Sequence, residues 1–338
     1  MSNNSVRVYS ELLTLIEERG RKVLERFGDV TISGISHPKL LSILRDVKAY
    51  WKDVYRPALT SLSCEAVGGK PKESTDVSLI ITLLAAGMGI HDDIVDKSLN
   101  KHFRMTIFGL HDLDDTLVVG DLLIVKALTA VREILEENYQ PRKISDVLET
   151  YETSFVEICE GEFMEVSCRQ NLDTKLEFYN NVLWKFAADT EACTKIGAIL
   201  GNGTKSEVQA LAEFGRRLGF MFRLVDDVKD ALNIEGSLPH RLEFESVPLP
   251  LLYSAKSSKE KYLKIKSVLE KPPVTPHNVR KLLGFCFESD AFTYVYNIAK
   301  QNAKMATHNL RLVRPNNART ALTLMINKPL ADIAKLCC

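Results

Sequence analysis

The chain has 338 residues, 45% of them hydrophobic, and carries 44 basic against 44 acidic side chains. It is long enough to bury a large core, and its zero net charge offers no footprint for nucleic acid or for a membrane surface. The start, MSNNSVRVYS, has no apolar stretch behind a basic one, and no apolar run reaches the roughly 18 residues of a spanning helix, so neither signal peptide nor span is expected.

Taken in chain order, the pattern is helical almost throughout. Apolar residues recur at three and four in VYSELLTLIEERGRKVLERF (8–27), which predicts an amphipathic helix, and residues up to about 37 form an N-terminal appendage. A long apolar run, SLIITLLAAGMGI (78–90), follows. The helical period returns in 121–139, 143–166 and 207–232, and again towards the C-terminus. Short punctuation separates these segments: GDVTISGISHPK, GGKPKES, GNGTKS, NIEGSLPH and KPPVTPHN. No alternating β-branched run and no fixed repeat appears, and no linker divides the chain. One large all-α domain is expected. The seven scattered cysteines, none in a CxxC pair, suit a reduced, cytoplasmic chain better than a disulfide scaffold or zinc site. Cys337–Cys338 reads either as a lipid-attachment signal or as a plain tail.

The apolar run ends in like charges, HDDIVD. On a helix Asp92 and Asp96 stand one turn apart, and Asp93 and Asp96 are neighbours. Uncompensated carboxylates at that spacing destabilise a helix, so a positive group should sit among them. RLVDDVKD repeats the spacing with Asp226, Asp227 and Asp230. A single such cluster reads as a solvated helix end. Two of them, facing one another, are a candidate Mg²⁺ site, because Mg²⁺ takes hard oxygen ligands and leaves room for phosphate.

The order HDDIVD, VVGDLLIVKAL, EGEFMEV, Lys185 ahead of CTKIGAILG, and FGRRLGFMFRLVDDVKD resembles the trans-type prenyl diphosphate synthase family, over roughly residues 38 to 330. The resemblance implies an all-helical bundle of the isoprenoid synthase type with a deep central cavity. It also implies a homodimer and Mg²⁺-dependent ionisation of an allylic prenyl diphosphate, whose cation isopentenyl diphosphate attacks. On that reading the six aspartates hold metal, and Lys185 and Arg223 serve the departing diphosphate. Lys52, Arg56, Lys101, His102 and Arg104 are the remaining diphosphate contacts.

Departures from the family pattern cluster at the acceptor. Asp53 stands where the family has a lysine, Ala85 where it has a histidine or polar residue, and Lys101–His102 where it has two arginines; Arg56 alone is unchanged. On the allylic side, Phe186 replaces a threonine, Ser246 a lysine and Arg223 a glutamine. Arg223 reads either as an i,i+4 partner of Asp227 or as a new diphosphate clamp. These losses keep a second reading open, a class I terpene-synthase-like enzyme that ionises one prenyl diphosphate alone, and a third, a weakly active partner subunit. No aromatic stands at Gly87 or Met88, where the family often closes its prenyl tunnel. With Leu84 the next obstruction on that helix, chains of about twenty carbons or longer are expected.

Overall fold

The computed structural model describes residues 3–271 and 273–337, with side chains described outside 3–8 and 135–138. Cys338, half of the Cys–Cys ending, lies outside them. Among the described residues there are sixteen helices and one two-stranded hairpin. The all-α expectation is met.

Contacts divide the chain into two compact units, each discontinuous in sequence. The first holds α1 (Asn3–Ile32), α2 (Pro38–Tyr50), α3 (Tyr55–Ala66), α4 (Pro71–Val95), the hairpin β1 (Asn100–Lys101) and β2 (Arg104–Met105), α5 (Ile107–Leu110) and α6 (Leu113–Asn138). It also takes the first half of α7 (Pro141–Ser167), most of α9 (Ala188–Leu200) and the start of α10 (Lys205–Ala231). The second holds the rest of α7 and α10, α8 (Leu176–Phe186), α11 (Leu238–Phe244), α12 (Leu249–Ser257), α13 (Lys259–Leu269), α14 (Pro276–Glu288), nearly all of α15 (Ala291–Leu310) and the end of α16 (Asn317–Cys337).

In the first unit α4 is the central helix, packed on α6, α3 and α1. It is the one helix among the described residues long and apolar enough to cross a membrane, but 61% of its apolar window is buried within the protein. Its apolarity is that of a core element on several sides at once. Gly87 allows α4 to meet α6 closely, since a Cβ there would lie 2.9 Å from the carbonyl oxygen of Gly120 and 2.9 Å from Ile124. The expected N-terminal appendage is part of this core. Leu12, Ile16, Val23 and Phe27 bury the apolar stripe of α1, which continues through Gly28 to Ile32, where sequence punctuation suggested a loop.

The second unit is built on α10, whose Phe214, Leu218, Met221 and Leu224 are fully buried. Arg216 links it to its neighbours: the guanidinium donates to both oxygens of Glu157 on α7 (2.7 and 3.1 Å), to Glu191, and to the carbonyl of Trp184 on α8 (3.0 Å). A buried arginine needs that many acceptors to offset its lost hydration.

Candidate active site

The first aspartate motif forms the C-terminal turn of α4, closed by the amide of Asp96 donating to the carbonyl of Asp92 at 2.8 Å. The required positive group comes from β1. Lys101 Nζ lies 2.8 Å from Asp92, 3.0 Å from Asp93 and 3.9 Å from Asp96. Burial pulls the Lys101 ammonium down, but the three carboxylates outweigh it and hold its pKa well above the ordinary lysine value. Asp93 and Asp96 are both buried; burial lifts the carboxyl of Asp93 to about 6 against the pull of Lys101. Asp92, 41% exposed, is the most open of the three. A cation therefore already sits among hard oxygen donors with the chemistry Mg²⁺ prefers, and the donor set fits that ion.

Upstream on α4, Leu84, Ala85 and Met88 are partly accessible, whereas Gly87 is buried. Gly87, expected at a tunnel floor, is turned onto α6 instead. It stands about 100° around the helix from Met88, which shares its face with Leu84 and Asp92. Behind the motif, His91 Nε2 lies 3.3 Å from the carbonyl of Leu117 and 3.4 Å from Asp121, so it ties α4 to α6. Gly120 makes room for it, since a Cβ there would meet the ring at 2.4 Å.

Two of the cations assigned to the acceptor, Arg56 and Arg104, have partners of their own. Arg56 is bound by Asp53, with NH1 to Oδ2 at 2.6 Å. The other oxygen of Asp53 caps α3, accepting from the amides of Tyr55 (2.9 Å) and Arg56 (3.3 Å). Asp53 thus neutralises a cation and closes a helix start, which explains an aspartate there. Arg104 donates to the carbonyl of Tyr50 at 3.1 Å and lies over its ring at 4.5 Å. Lys52 and His102 are exposed.

The second motif lies on α10, and its three aspartates differ sharply. Asp226 is half-exposed, with Lys229 at 3.5 Å. Asp227 is buried beneath the helix, accepting from the Leu249 amide (2.8 Å) and the Tyr179 hydroxyl (3.2 Å) and paired with Arg241 at 2.9 Å. Burial raises its carboxyl to about 6, opposed by Arg241 and the Leu249 amide. Asp230 is held by Arg241 and by the Ser237 hydroxyl at 2.7 Å. Assigned as metal ligands with Asp226, Asp227 and Asp230 instead have their oxygens on an arginine. For Asp227 the cause is rotation, since successive residues stand 100° apart and it cannot share the face of Asp226; Asp230, one turn from Asp226, is taken up by Arg241 and Ser237.

Arg241 is the residue the sequence did not disclose. Its Nε donates to the carbonyl of Ser246 at 3.2 Å, and NH2 donates to Tyr179 at 2.8 Å. Ser246, at a position where the family pattern has a lysine, is buried against the same guanidinium. The positive charge absent at 246 reappears five residues earlier on α11. Only the fold brings Tyr179, Asp227 and Arg241 together.

Lys185 projects from the last turn of α8 and pairs with Glu160 at 2.6 Å. Gly161 lets α7 approach it, a Cβ there lying 3.1 Å from that of Lys185. Arg223 lies over the ring of Phe186 at 5.2 Å; burial raises the Asp226 carboxyl, opposed by the charges of Lys229 and Arg223, and the charge partner of Asp227 is Arg241 rather than Arg223.

Residues 52–285 match the family model of the polyprenyl synthetases. A short chain isoprenyl diphosphate synthase of Methanothermobacter thermautotrophicus is 27% identical over 93% of this chain and 97% of its own length. A geranylgeranyl diphosphate synthase of Methanosarcina mazei is 31% identical over 52% of this chain and 53% of its own. Among solved structures, a decaprenyl diphosphate synthase of Rhodobacter capsulatus superposes with a TM-score of 0.84 at 21% identity, covering 96% of this chain and 99% of that one. A geranylgeranyl pyrophosphate synthetase of Pyrococcus horikoshii gives 0.82 at 24% identity, over 95% and 98%. The chain belongs to the polyprenyl synthetase family and is a prenyltransferase of isoprenoid biosynthesis.

Proposed function

We propose that the protein condenses an allylic prenyl diphosphate with isopentenyl diphosphate in a Mg²⁺-dependent reaction, giving products of geranylgeranyl length or longer. The observation that carries this reading is the Lys101–Asp92–Asp93–Asp96 cluster, an array of hard oxygen donors already gathered around a cation. Asp92 and Asp96 are the side chains of the first motif that would hold metal, and the open Asp226 is the one of the second motif. Bound there, Mg²⁺ supplies positive charge that stabilises the departing diphosphate. Lys101 is the cation that the first motif offers a diphosphate; in the second unit Lys185 offers another, and Arg223 adds a planar donor fork beside Asp226. Leu84, Ala85 and Met88 give the allylic chain an apolar wall that keeps water from the carbocation. The exposed apolar row Leu113, Leu117, Val118, Val125 and Leu128 on α6 supports a homodimer.

A second reading, ionisation of a single prenyl diphosphate without isopentenyl diphosphate, is favoured by the Asp53–Arg56 pair, which leaves that arginine neutralised. One experiment separates the two. The protein is incubated with Mg²⁺ and farnesyl or geranylgeranyl diphosphate, with and without isopentenyl diphosphate, and the products are identified by mass spectrometry. Longer diphosphates formed only with isopentenyl diphosphate support condensation. A hydrocarbon or alcohol formed equally without it supports the second reading.

A further inference from the structure

Lys185 stands where the helical path breaks. Between α8 and α9 the amide of Ala187 donates back three residues to the Trp184 carbonyl at 3.3 Å, a tightened turn at a helix end. The same carbonyl accepts from Arg216 NH1 at 3.0 Å, and NH1 also donates to Glu157 Oε2 at 2.7 Å. Lys185 is the residue after Trp184, and its partner Glu160 lies three residues past Glu157 on α7. One guanidinium therefore fixes both the backbone that carries the ammonium and the helix that carries its carboxylate. Its Nε, bonded to Glu191, ties the first turn of α9 to the same anchor.

The rest of that face of α10 follows the break. At Gly219 an added Cβ would lie 2.8 Å from Thr190 Oγ1 and 2.9 Å from the Cβ of Ala187, so α10 meets the break itself. Arg223 covers the ring of Phe186, and Asp226 is three residues further on. Positions 216, 219, 223 and 226 recur at three and four, so one stripe of one helix carries the anchor, the close approach and the open aspartate. We propose that Arg216 is a positioning residue for diphosphate binding, setting Lys185 against Asp226 without touching substrate itself. Only 9% of its side chain is exposed, and all three of its nitrogens are bonded within the protein. A lysine stem is flexible, but Gly161 crowds this one at its root, where an added Cβ would lie 3.1 Å from that of Lys185. The place of the ammonium is then set by the backbone beneath it, and small misplacements of a binding group are costly. The inference rests on the proposed contact between Lys185 and the diphosphate.

The test is a double-variant cycle on the full chain, read by calorimetric titration with inorganic diphosphate in saturating Mg²⁺ and by thermal scans. Lys185→Ala should weaken diphosphate binding about tenfold, from the loss of one charge-assisted contact. Arg216→Lys keeps a cation beside Glu157 and Glu191, but one ammonium cannot also hold the Trp184 carbonyl. It should weaken binding about fivefold in the wild-type background and less than about twofold in Lys185→Ala, while lowering the thermal midpoint equally in both. A residue that merely supports the fold would multiply the two losses of affinity. Such a product in the double variant, or wild-type affinity in Arg216→Lys, overturns the positioning role and leaves that of Lys185 intact. Unchanged affinity in Lys185→Ala overturns both. Should Arg216→Lys fail to fold, Glu191→Gln, which loosens the guanidinium without removing it, goes through the same cycle. Its smaller loss should likewise vanish in Lys185→Ala, and a loss that persists there overturns the proposal.

Discussion

If, as proposed, the first aspartate cluster holds metal, Lys101 occupies its place, so replacing Lys101 should make the metal-free protein less stable and its grip on metal tighter. In Lys101→Met, three carboxylates lose the ammonium that lies 2.8–3.9 Å away. Breaking a buried pair costs about 3–5 kcal/mol and an exposed one about 0–1 kcal/mol. Asp93 is buried, but Lys101 (32%) and Asp92 (41%) are open to solvent, so the discounted cost is about 2 kcal/mol. The entropy of unfolding is about 2.1 cal/mol/K per residue, or about 0.7 kcal/mol/K for 338 residues, so the thermal midpoint should fall by about 3 °C. Mg²⁺ added without diphosphate then meets one more net negative charge and no ammonium to displace. At an exposed site that is worth at least about 1.4 kcal/mol, a tenfold tighter Kd. Prenyl turnover should nevertheless fall, because a cation beside the diphosphate is gone. Calorimetric Mg²⁺ titration and thermal scans with and without metal read both effects. Unchanged or weaker Mg²⁺ binding in Lys101→Met would refute the view that Lys101 holds the place of the metal.

Arg241→Met should lower stability by about 3–5 kcal/mol, or about 4–7 °C in thermal midpoint, because it strands Asp227 without its cation. Asp226→Asn should lose turnover with a midpoint within about 1 °C of wild type, since that carboxylate is half-exposed and a changed surface group costs little. Met88→Phe should shorten the product in mass spectra, whereas Gly87→Phe should reduce soluble yield, because its ring has only the α4–α6 crossing to enter. Burial pushes the thiols of Cys64 and Cys286 from the ordinary 9.0 up to about 12, so at pH 8 alkylating reagents should label Cys159 while those two react only in denaturant. The same shifts have a stability consequence. Between pH 9 and 12 the unfolded chain ionises both thiols and the folded chain keeps them protonated, so stability should fall as pH rises, by up to about 1.4 kcal/mol per pH unit for each thiol.

Helix content, the aspartate spacing and the need for a cation among the aspartates were all legible in the sequence, because each depends on residues within one or two turns of each other. Lys101 itself lies five residues past Asp96, close enough for the reading to reach it. Rotation about the helix axis was legible only in principle. Period alone places Asp226 and Asp227 on different faces, yet which of them meets solvent depends on Tyr179, Arg241 and Leu249, and these come from α8, α11 and α12. The same holds for Gly87 and Met88: one sequence gives the angle between them but not which side faces α6.

The departures from the family pattern, taken together, have a common physical form. Two of the lost cations in the sequence correspond to local pairings in the structure. Asp53, in place of a lysine, gives its charge to Arg56 and its other oxygen to the start of α3. Ser246, in place of another, accepts an arginine that reaches it from α11 while serving Asp227 and Asp230. In the first case the net change beside Arg56 is two units of charge towards negative, and an incoming diphosphate must compete with a carboxylate already seated at 2.6 Å. In the second the charge is conserved but buried, where it supports the helix carrying Asp226 instead of meeting a ligand. The ionising half of the reaction therefore keeps open aspartates on a braced helix, while the acceptor half begins from a neutralised arginine. A protein so arranged should bind its allylic diphosphate with ordinary affinity and show its divergence in the Michaelis constant for isopentenyl diphosphate. Asp53→Asn, which keeps the cap on α3 and removes the competing charge, is the substitution that should lower that constant.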